Sequence, residues 1–247
     1  MLLSLSTWPE VEAYLRNCDA IVVPIGSTEQ HGPNGLIGTD AICAEHVACG
    51  VGGRTGVLVA PTISVGMAAH HMAFPGSMSH TPTVLISIVR EQVMALAAHG
   101  FRNFFFVNGH GGNIATINSA FAEIHALRWQ AGLPAIRCQL ANWWDPAGVA
   151  ELSQEYYGDV EGSHATASEI AITRHLFPDH AKNVVLDPAV APTGEFHDAA
   201  DFRQRFPDGR IGSNPGLSEA KHGERILQSA IAGLVEMLRV FIAMKGA

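Results

Sequence analysis

The stretch Gly26-Ser27-Thr28-Glu29-Gln30-His31-Gly32-Pro33, closed by Gly38-Thr39-Asp40, decides how the rest of the chain is understood. The apolar run Ala20-Ile21-Val22-Val23-Pro24-Ile25 precedes it. That run predicts a short buried strand, with the polar stretch starting where the strand ends. Glu29 and His31 are two residues apart, so in extended chain their side chains share a side. Asp40 follows a Gly-Thr pair and precedes a helical pattern over 41–49, which places its carboxylate at a helix N-terminus, where the macrodipole favours charge. Two carboxylates and an imidazole at one strand end are candidate ligands for half of a metal site. The same residues admit a plainer role: Thr39 and Asp40 as helix caps, Glu29 at the surface, Gly32-Pro33 as an ordinary turn.

The chain has 247 residues, a length that suits one α/β domain over 1–247. Hydrophobic residues make up 47% and charged residues 15%, so the chain buries a large core, surface against copies of itself, or both. The net charge of −8, without a lysine or arginine run, disfavours nucleic acid as a partner. Cys18, Cys43, Cys49 and Cys138 form no CxxC pair and are expected as reduced thiols. Residues 1–6 lack a basic region and are soon followed by Pro9 and Glu10, a poor match to a signal peptide. No uninterrupted apolar run approaches about 18 residues, so no membrane span is expected. A cytoplasmic location is the resulting expectation.

Outward from the opening motif, Thr7-Trp8-Pro9-Glu10 signals a capped helix ending near Asn17. Residues 50–56 look like a glycine-rich break, and 57–63 a second strand. The long loop after it carries His71 and Phe74-Pro75-Gly76, suited to substrate contact or to packing on a neighbouring subunit. A helix is predicted from Thr81-Pro82 to His99, then a buried strand at Phe104-Phe105-Phe106-Val107. That strand ends in Asn108-Gly109-His110-Gly111-Gly112-Asn113, where glycines let backbone approach a ligand closely. The loop lacks the GxGxxG and GxxxxGK[ST] phosphate patterns, which leaves His110 as a metal ligand or site residue. A helix over 113–130 and a strand over 134–140 follow, the strand ending at Trp143-Trp144, a pair able to wall a pocket for a flat substrate or to serve core and interface. His164 sits just before a helix predicted from Thr166 to Leu176, and Glu169 lies inside that helix. Residues 186–216 read as an irregular excursion with room for a strand pair, and 218–244 as an amphipathic closing helix.

Strands alternating with helices predict a mostly parallel sheet with helices on both faces. In such folds ligands bind beyond the carboxyl ends of the strands, where Glu29, His31, Asp40, His110 and the tryptophans all fall. Taken together, Glu29-Gln30-His31-Gly32-Pro33 with Gly38-Thr39-Asp40, His71-x-x-Phe74-Pro75-Gly76, Asn108-Gly109-His110-Gly111-Gly112-Asn113 and His164-Ala165 with Glu169 resemble the creatininase (creatinine amidohydrolase) family. The tail, with Gly209-Arg210-Ile211-Gly212 and Glu219-x-x-His222-Gly223, is also similar.

The resemblance implies a three-layer α/β sandwich with two divalent metal ions per chain. Glu29, Asp40 and His110 would hold one ion, and His31, Asp40 and Glu169 the other, with Asp40 bridging. It implies zinc, with manganese or iron at one position, and a homohexamer. His71, Trp143, Trp144, Gly111 and Gly112 become the expected substrate-binding residues, and His164 and Glu169 the expected catalytic ones. Two cations bridged by a carboxylate can acidify a shared water, and the hydroxide formed would attack a carbonyl while His164 moves a proton to the leaving nitrogen. Creatininase proper carries an aromatic and a glutamate where this chain has Gly111 and Gly112, and a tryptophan where it has Asp159-Val160-Glu161. The leading expectation is therefore an amidohydrolase for a small cyclic amide or a formamide. The alternatives are hydrolysis of a carbon–carbon bond in a cyclic polyol ketone, and a metal-stabilised oligomeric binding protein without turnover.

Overall fold

A computed structural model describes residues 1–244. Its elements are α1 (Trp8–Leu15), β1 (Ala20–Ile25), α2 (Thr39–Thr55), β2 (Leu58–Val59), α3 (Pro82–Ala98), β3 (Asn103–Asn108), α4 (Ile114–Gln130), β4 (Arg137–Asn142), α5 (Ala147–Tyr157), α6 (Ala167–Leu176), α7 (Ala199–Arg205) and α8 (Ala220–Ala243). The four strands form a parallel sheet in the order β2-β1-β3-β4. β1, β2 and the middle of β3 are apolar on both sides, as a sheet covered on both faces demands, while the edge strand β4 mixes polar and apolar residues. Val22, Phe105 and Val107 face α2, α5, α6 and α8, while Ile21, Val23, Phe104 and Phe106 face α1, α3 and α4.

The register brings the functional ends of the strands level. Ile25 pairs with Asn108, and Asn108 with Asn142. The loops that leave these three residues therefore start side by side. β2 is shorter than the predicted 57–63. Pro24 in β1 and Pro61 beyond β2 both lack an N–H, so the ladder breaks between them and resumes at one bridge, Ile25 with Ile63.

The expected break at 50–56 is instead the last part of α2, which runs to Thr55 and ends at Gly56 in the left-handed conformation. Gly50 serves close packing there: a Cβ on it would lie 2.3 Å from the Ile231 side chain of α8. α5 was not foreseen from the sequence. The 186–216 excursion holds α7 and no strand pair among the described residues, only the bridge of His164 with Ile211. The fully buried Arg210 anchors it, donating to Asp208 and to the carbonyls of Pro188, Ala189 and Ser213.

By length and mean hydropathy (1.7) α8 could cross a membrane. Its apolar stripe, Ile226, Ile231, Leu234, Leu238 and Phe241, is packed into the core instead. Glu224, Arg225, Glu236 and Arg239 are exposed on its other side. At its crossing with α6, Gly223 leaves no room: a Cβ would lie 1.9 Å from the Ala171 carbonyl oxygen. Gly53 in α2 faces open space. Gly223→Ala is expected to destabilise the protein by about 1–3 kcal/mol and Gly53→Ala to stabilise it by about 0.5–1 kcal/mol, both read by urea unfolding. Equal effects at the two positions would contradict this packing.

Candidate metal centre

Two strand-end loops and two helix starts converge on one centre around Asp40. The chain leaving β1 carries Glu29 and His31, the first turn of α2 carries Asp40, the loop after β3 carries His110, and the first turn of α6 carries Glu169. All five are buried, Glu29 completely. Asp40 Oδ1 lies 2.9 Å from His31 Nε2, and Asp40 Oδ2 lies 3.1 Å from His110 Nδ1. Glu29 Oε1 lies 3.2 Å from His110 Nδ1, and Glu169 Oε1 lies 3.8 Å from His31 Nε2. Two triads share Asp40, Glu29-Asp40-His110 and His31-Asp40-Glu169, and a third group, Glu29-His31-His164, adjoins them; in each the ligand atoms lie within 4.8 Å of one another. Gly109 permits this closeness, since a Cβ there would lie 2.1 Å from the Asp40 carbonyl oxygen.

Backbone carbonyls fix which ring nitrogen faces the centre. His110 Nε2 lies 3.0 Å from the Met67 carbonyl and His31 Nδ1 lies 3.1 Å from the Glu29 carbonyl, and a carbonyl can only accept. Each imidazole therefore spends one N–H on backbone and turns its other nitrogen toward the carboxylates, a proton donor in the metal-free protein and the source of the lone pair a metal ion would take. Glu169 is oriented by its own helix start. It closes a capping box with Thr166, its Oε1 accepting from the Thr166 N–H at 2.5 Å.

Such a cluster demands cations. Burial alone would depress both histidines, yet Asp40 and Glu169 lift His31 to about 10, and Glu29 and Asp40 lift His110 to about 9. Burial would raise Asp40, but His31 and His110 hold it well below the carboxylate range. Burial pushes Glu29 up and takes Glu169 to about 7. Glu29 Oε1 and Asp40 Oδ2 are buried without a hydrogen-bond donor. The residues fit two divalent cations: lone pairs of two imidazoles and three carboxylates face one small volume, where only protons or metal ions can satisfy them.

A cavity of about 460 Å³ opens beside Asp40, His110 and Glu169. Gly111, Trp143, Trp144 and His164 line it, as do Glu161 and Ser163. Two residues expected to touch substrate lie elsewhere. His71 is buried behind the centre, its Nε2 3.1 Å from Glu29 Oε1 and its Nδ1 2.9 Å from the Gln30 amide nitrogen. Its Nδ1 accepts from Gln30, which leaves its Nε2–H beside the carboxylate as a close contact outside hydrogen-bond geometry, so it packs against Glu29 from outside the centre. Gly112 is a spacer, since a Cβ there would lie 2.4 Å from His110 Nε2. Gln30, which has no ligand chemistry to mark it in the sequence, also donates to the Gly209 carbonyl and lies 2.9 Å from His164 Nε2. The excursion reaches the centre as well: Phe202 of α7 packs edge-on against His71 and His164.

The signs of these shifts predict how the metal-free protein responds to pH. His31 and His110 are raised above their ordinary 6.5, so the stability they lend is full below that value and is lost as pH rises through about 9 and 10. Glu169 is raised from 4.5 to about 7, so it too favours the fold less as pH rises through that window. The chelated protein is therefore expected to lose melting temperature steadily between about pH 6 and pH 10, while the zinc- or manganese-loaded protein holds it. A chelated protein with a flat profile over that range would contradict this electrostatic picture.

Comparison with known proteins places these features. The creatinine amidohydrolase family model, Creatininase, matches residues 4–238. Creatinine amidohydrolase of Pseudomonas putida is 28% identical over 94% of each chain. A mycofactocin precursor peptide peptidase of Mycolicibacterium smegmatis is 27% identical, covering 89% of this chain and 84% of its own length. The 3-dehydro-scyllo-inosose hydrolase of Thermotoga maritima is 31% identical over 70% of this chain and 55% of its own. Solved creatininase structures in a manganese form and a zinc–zinc form each match with a TM-score of 0.84 and 25% identity over 98% of both chains. The four-stranded parallel sheet with its flanking helices is that same α/β fold, and the chain belongs to the creatininase family of hydrolases.

Proposed function

We propose that this chain is a metal-dependent amidohydrolase that cleaves the C–N bond of a small cyclic amide or a formamide. The observation that carries this reading is the pair of triads sharing Asp40 at the floor of the cavity. Glu29, Asp40 and His110 would hold one divalent cation and His31, Asp40 and Glu169 the second. When bound, such a pair supplies an acidified water and a polarised carbonyl. Zinc and manganese are the first candidates, given the solved relatives.

The remaining work falls to side chains of this chain. His164 Nε2 lies 2.9 Å from the Gln30 carbonyl, which fixes the N–H on that nitrogen and leaves Nδ1 free, 3.8 Å from Glu29 Oε1. Burial and the neighbouring His71 and His31 hold His164 well below its ordinary value, so it starts neutral. It therefore accepts a proton at Nδ1 first and passes it to the leaving nitrogen second. Trp144, half-buried, gives the cavity an apolar surface, and the buried Trp143 packs edge to face with it, centroids 5.6 Å apart. The Thermotoga relative favours a second reading, in which the same centre opens a cyclic polyol ketone by carbon–carbon hydrolysis.

His164→Ala is expected to keep the metal content but lower turnover about 100-fold or more, whereas Glu29→Gln and His110→Ala are expected to lose metal. Metal analysis alongside a screen of lactams, formamides and inosose-like ketones reads all of this. Full activity in His164→Ala would remove its assigned role, and unchanged metal content in the other two would remove theirs. Turnover confined to the ketones would select the second reading.

A further inference from the structure

The cavity has a chemically one-sided wall. Between Gln139 and Thr173 the chain contributes Asp145, Glu151, Glu155, Asp159, Glu161 and Glu169, and no lysine or arginine. This stretch supplies most of the cavity lining. Glu169 belongs to the proposed ligand set, where bound cations would offset it. Glu161 does not, and it lines the cavity on its own account.

The only hydrogen bonds to the Glu161 carboxylate recorded among the described residues come from neutral donors. The Ser168 N–H lies 3.3 Å from Oε1 and 3.2 Å from Oε2, and the Ser168 hydroxyl also donates. Burial pushes the carboxyl up to about 7, with the Ser168 hydrogen bonds offsetting only part of that. A desolvated carboxylate without a counter-charge gains strongly from a cation placed against it. A second, independent observation lies on the same wall: among the described residues no lysine or arginine lines the cavity, so nothing there offsets the Glu161 charge. Glu151, Glu155 and Asp159 are exposed on or beside α5, whose Val149, Ala150, Ser153 and Gln154 line the cavity, and Arg225, 3.8 Å from Glu155, offsets one of them. Surface charge of one sign concentrates ligands of the other sign and turns carboxylates away.

We infer that the substrate of this cavity is a small amide that also carries a protonated amine, seated on Glu161. The inference rests on the hydrolase reading and narrows its substrate class. Glu161 is then the specificity-determining residue, and the floor around Asp40 handles the amide carbonyl.

Three lactams of matched shape test it on the metal-loaded protein at about pH 8, by calorimetric titration: 4-(aminomethyl)pyrrolidin-2-one, neutral 4-methylpyrrolidin-2-one and anionic 5-oxopyrrolidine-3-carboxylate. The aminomethyl lactam is expected to bind about tenfold or more tightly than the neutral one, and the anion most weakly, with the spread narrowing in high salt. Glu161→Gln keeps an acceptor for Ser168. It is expected to bring the aminomethyl lactam within about twofold of the neutral one, leaving the neutral lactam's affinity and the melting temperature unmoved. An anion that binds as tightly as the aminomethyl lactam would overturn the inference, as would no binding of the aminomethyl lactam. So would a Glu161→Gln variant that weakens all three alike, which is what a merely structural cap on α6 predicts. Retention of the charge order without turnover of any lactam would support the cation preference and count against the hydrolase reading, so the two fail separately.

Discussion

Three buried carboxylates that share one small volume dominate the energetics of this protein. Glu29, Asp40 and Glu169 bring three carboxyl groups together, and His31 and His110 turn toward them the ring nitrogen that backbone does not use, whose proton a metal ion would replace. Left alone, such a cluster costs several kcal/mol per unpaired charge, so it must take up protons or metal ions. Two divalent cations more than balance the three charges and leave room for one hydroxide. Affinity for cations and the capacity to activate water thus come from the same arrangement.

The fold exists to hold that cluster against its own repulsion. Ile25, Asn108 and Asn142 stand level in the sheet, so the loops that follow emerge together. Asn108 and Asn113 tie these loops to one another: Asn108 donates to the His110 carbonyl and to Asn142, and Asn113 donates to the Gly26 carbonyl. From the far side, Gln30 joins His71, His164 and Gly209, and Arg210 clamps the excursion down on them. The centre is rigid because almost every polar atom around it is already committed. Those left over, Glu29 Oε1 and Asp40 Oδ2, are the atoms a metal would take.

Much of this was legible in the chain. The apolar run 20–25 followed by Glu29 and His31 fixed a strand end and a shared side, and the alternation of strands and helices fixed the sheet. What escaped did so for identifiable reasons. Gly50 and its neighbours looked like a break because propensity counts glycine as a breaker, whereas the contact with Ile231 makes a small residue the requirement. His71 looked like a substrate contact because it sits in a long loop, but the loop folds back and buries the ring behind Glu29. Glu161 had no motif to mark it, since its importance lies in what surrounds it and not in its spacing. Glu169 did carry a local signature, the Thr166-x-x-Glu169 capping box, which orients the carboxylate as well as starting the helix.

The central claim is that two cations flank Asp40. Diffraction from crystals of the zinc- and manganese-loaded protein, recorded at each metal's absorption edge, measures this directly. Two anomalous peaks are predicted, both in contact with Asp40. One should lie about 2.0–2.2 Å from ligand atoms of Glu29 and His110, and the other the same distance from His31 and Glu169. A single peak, or peaks away from the Asp40 carboxylate, would contradict the account.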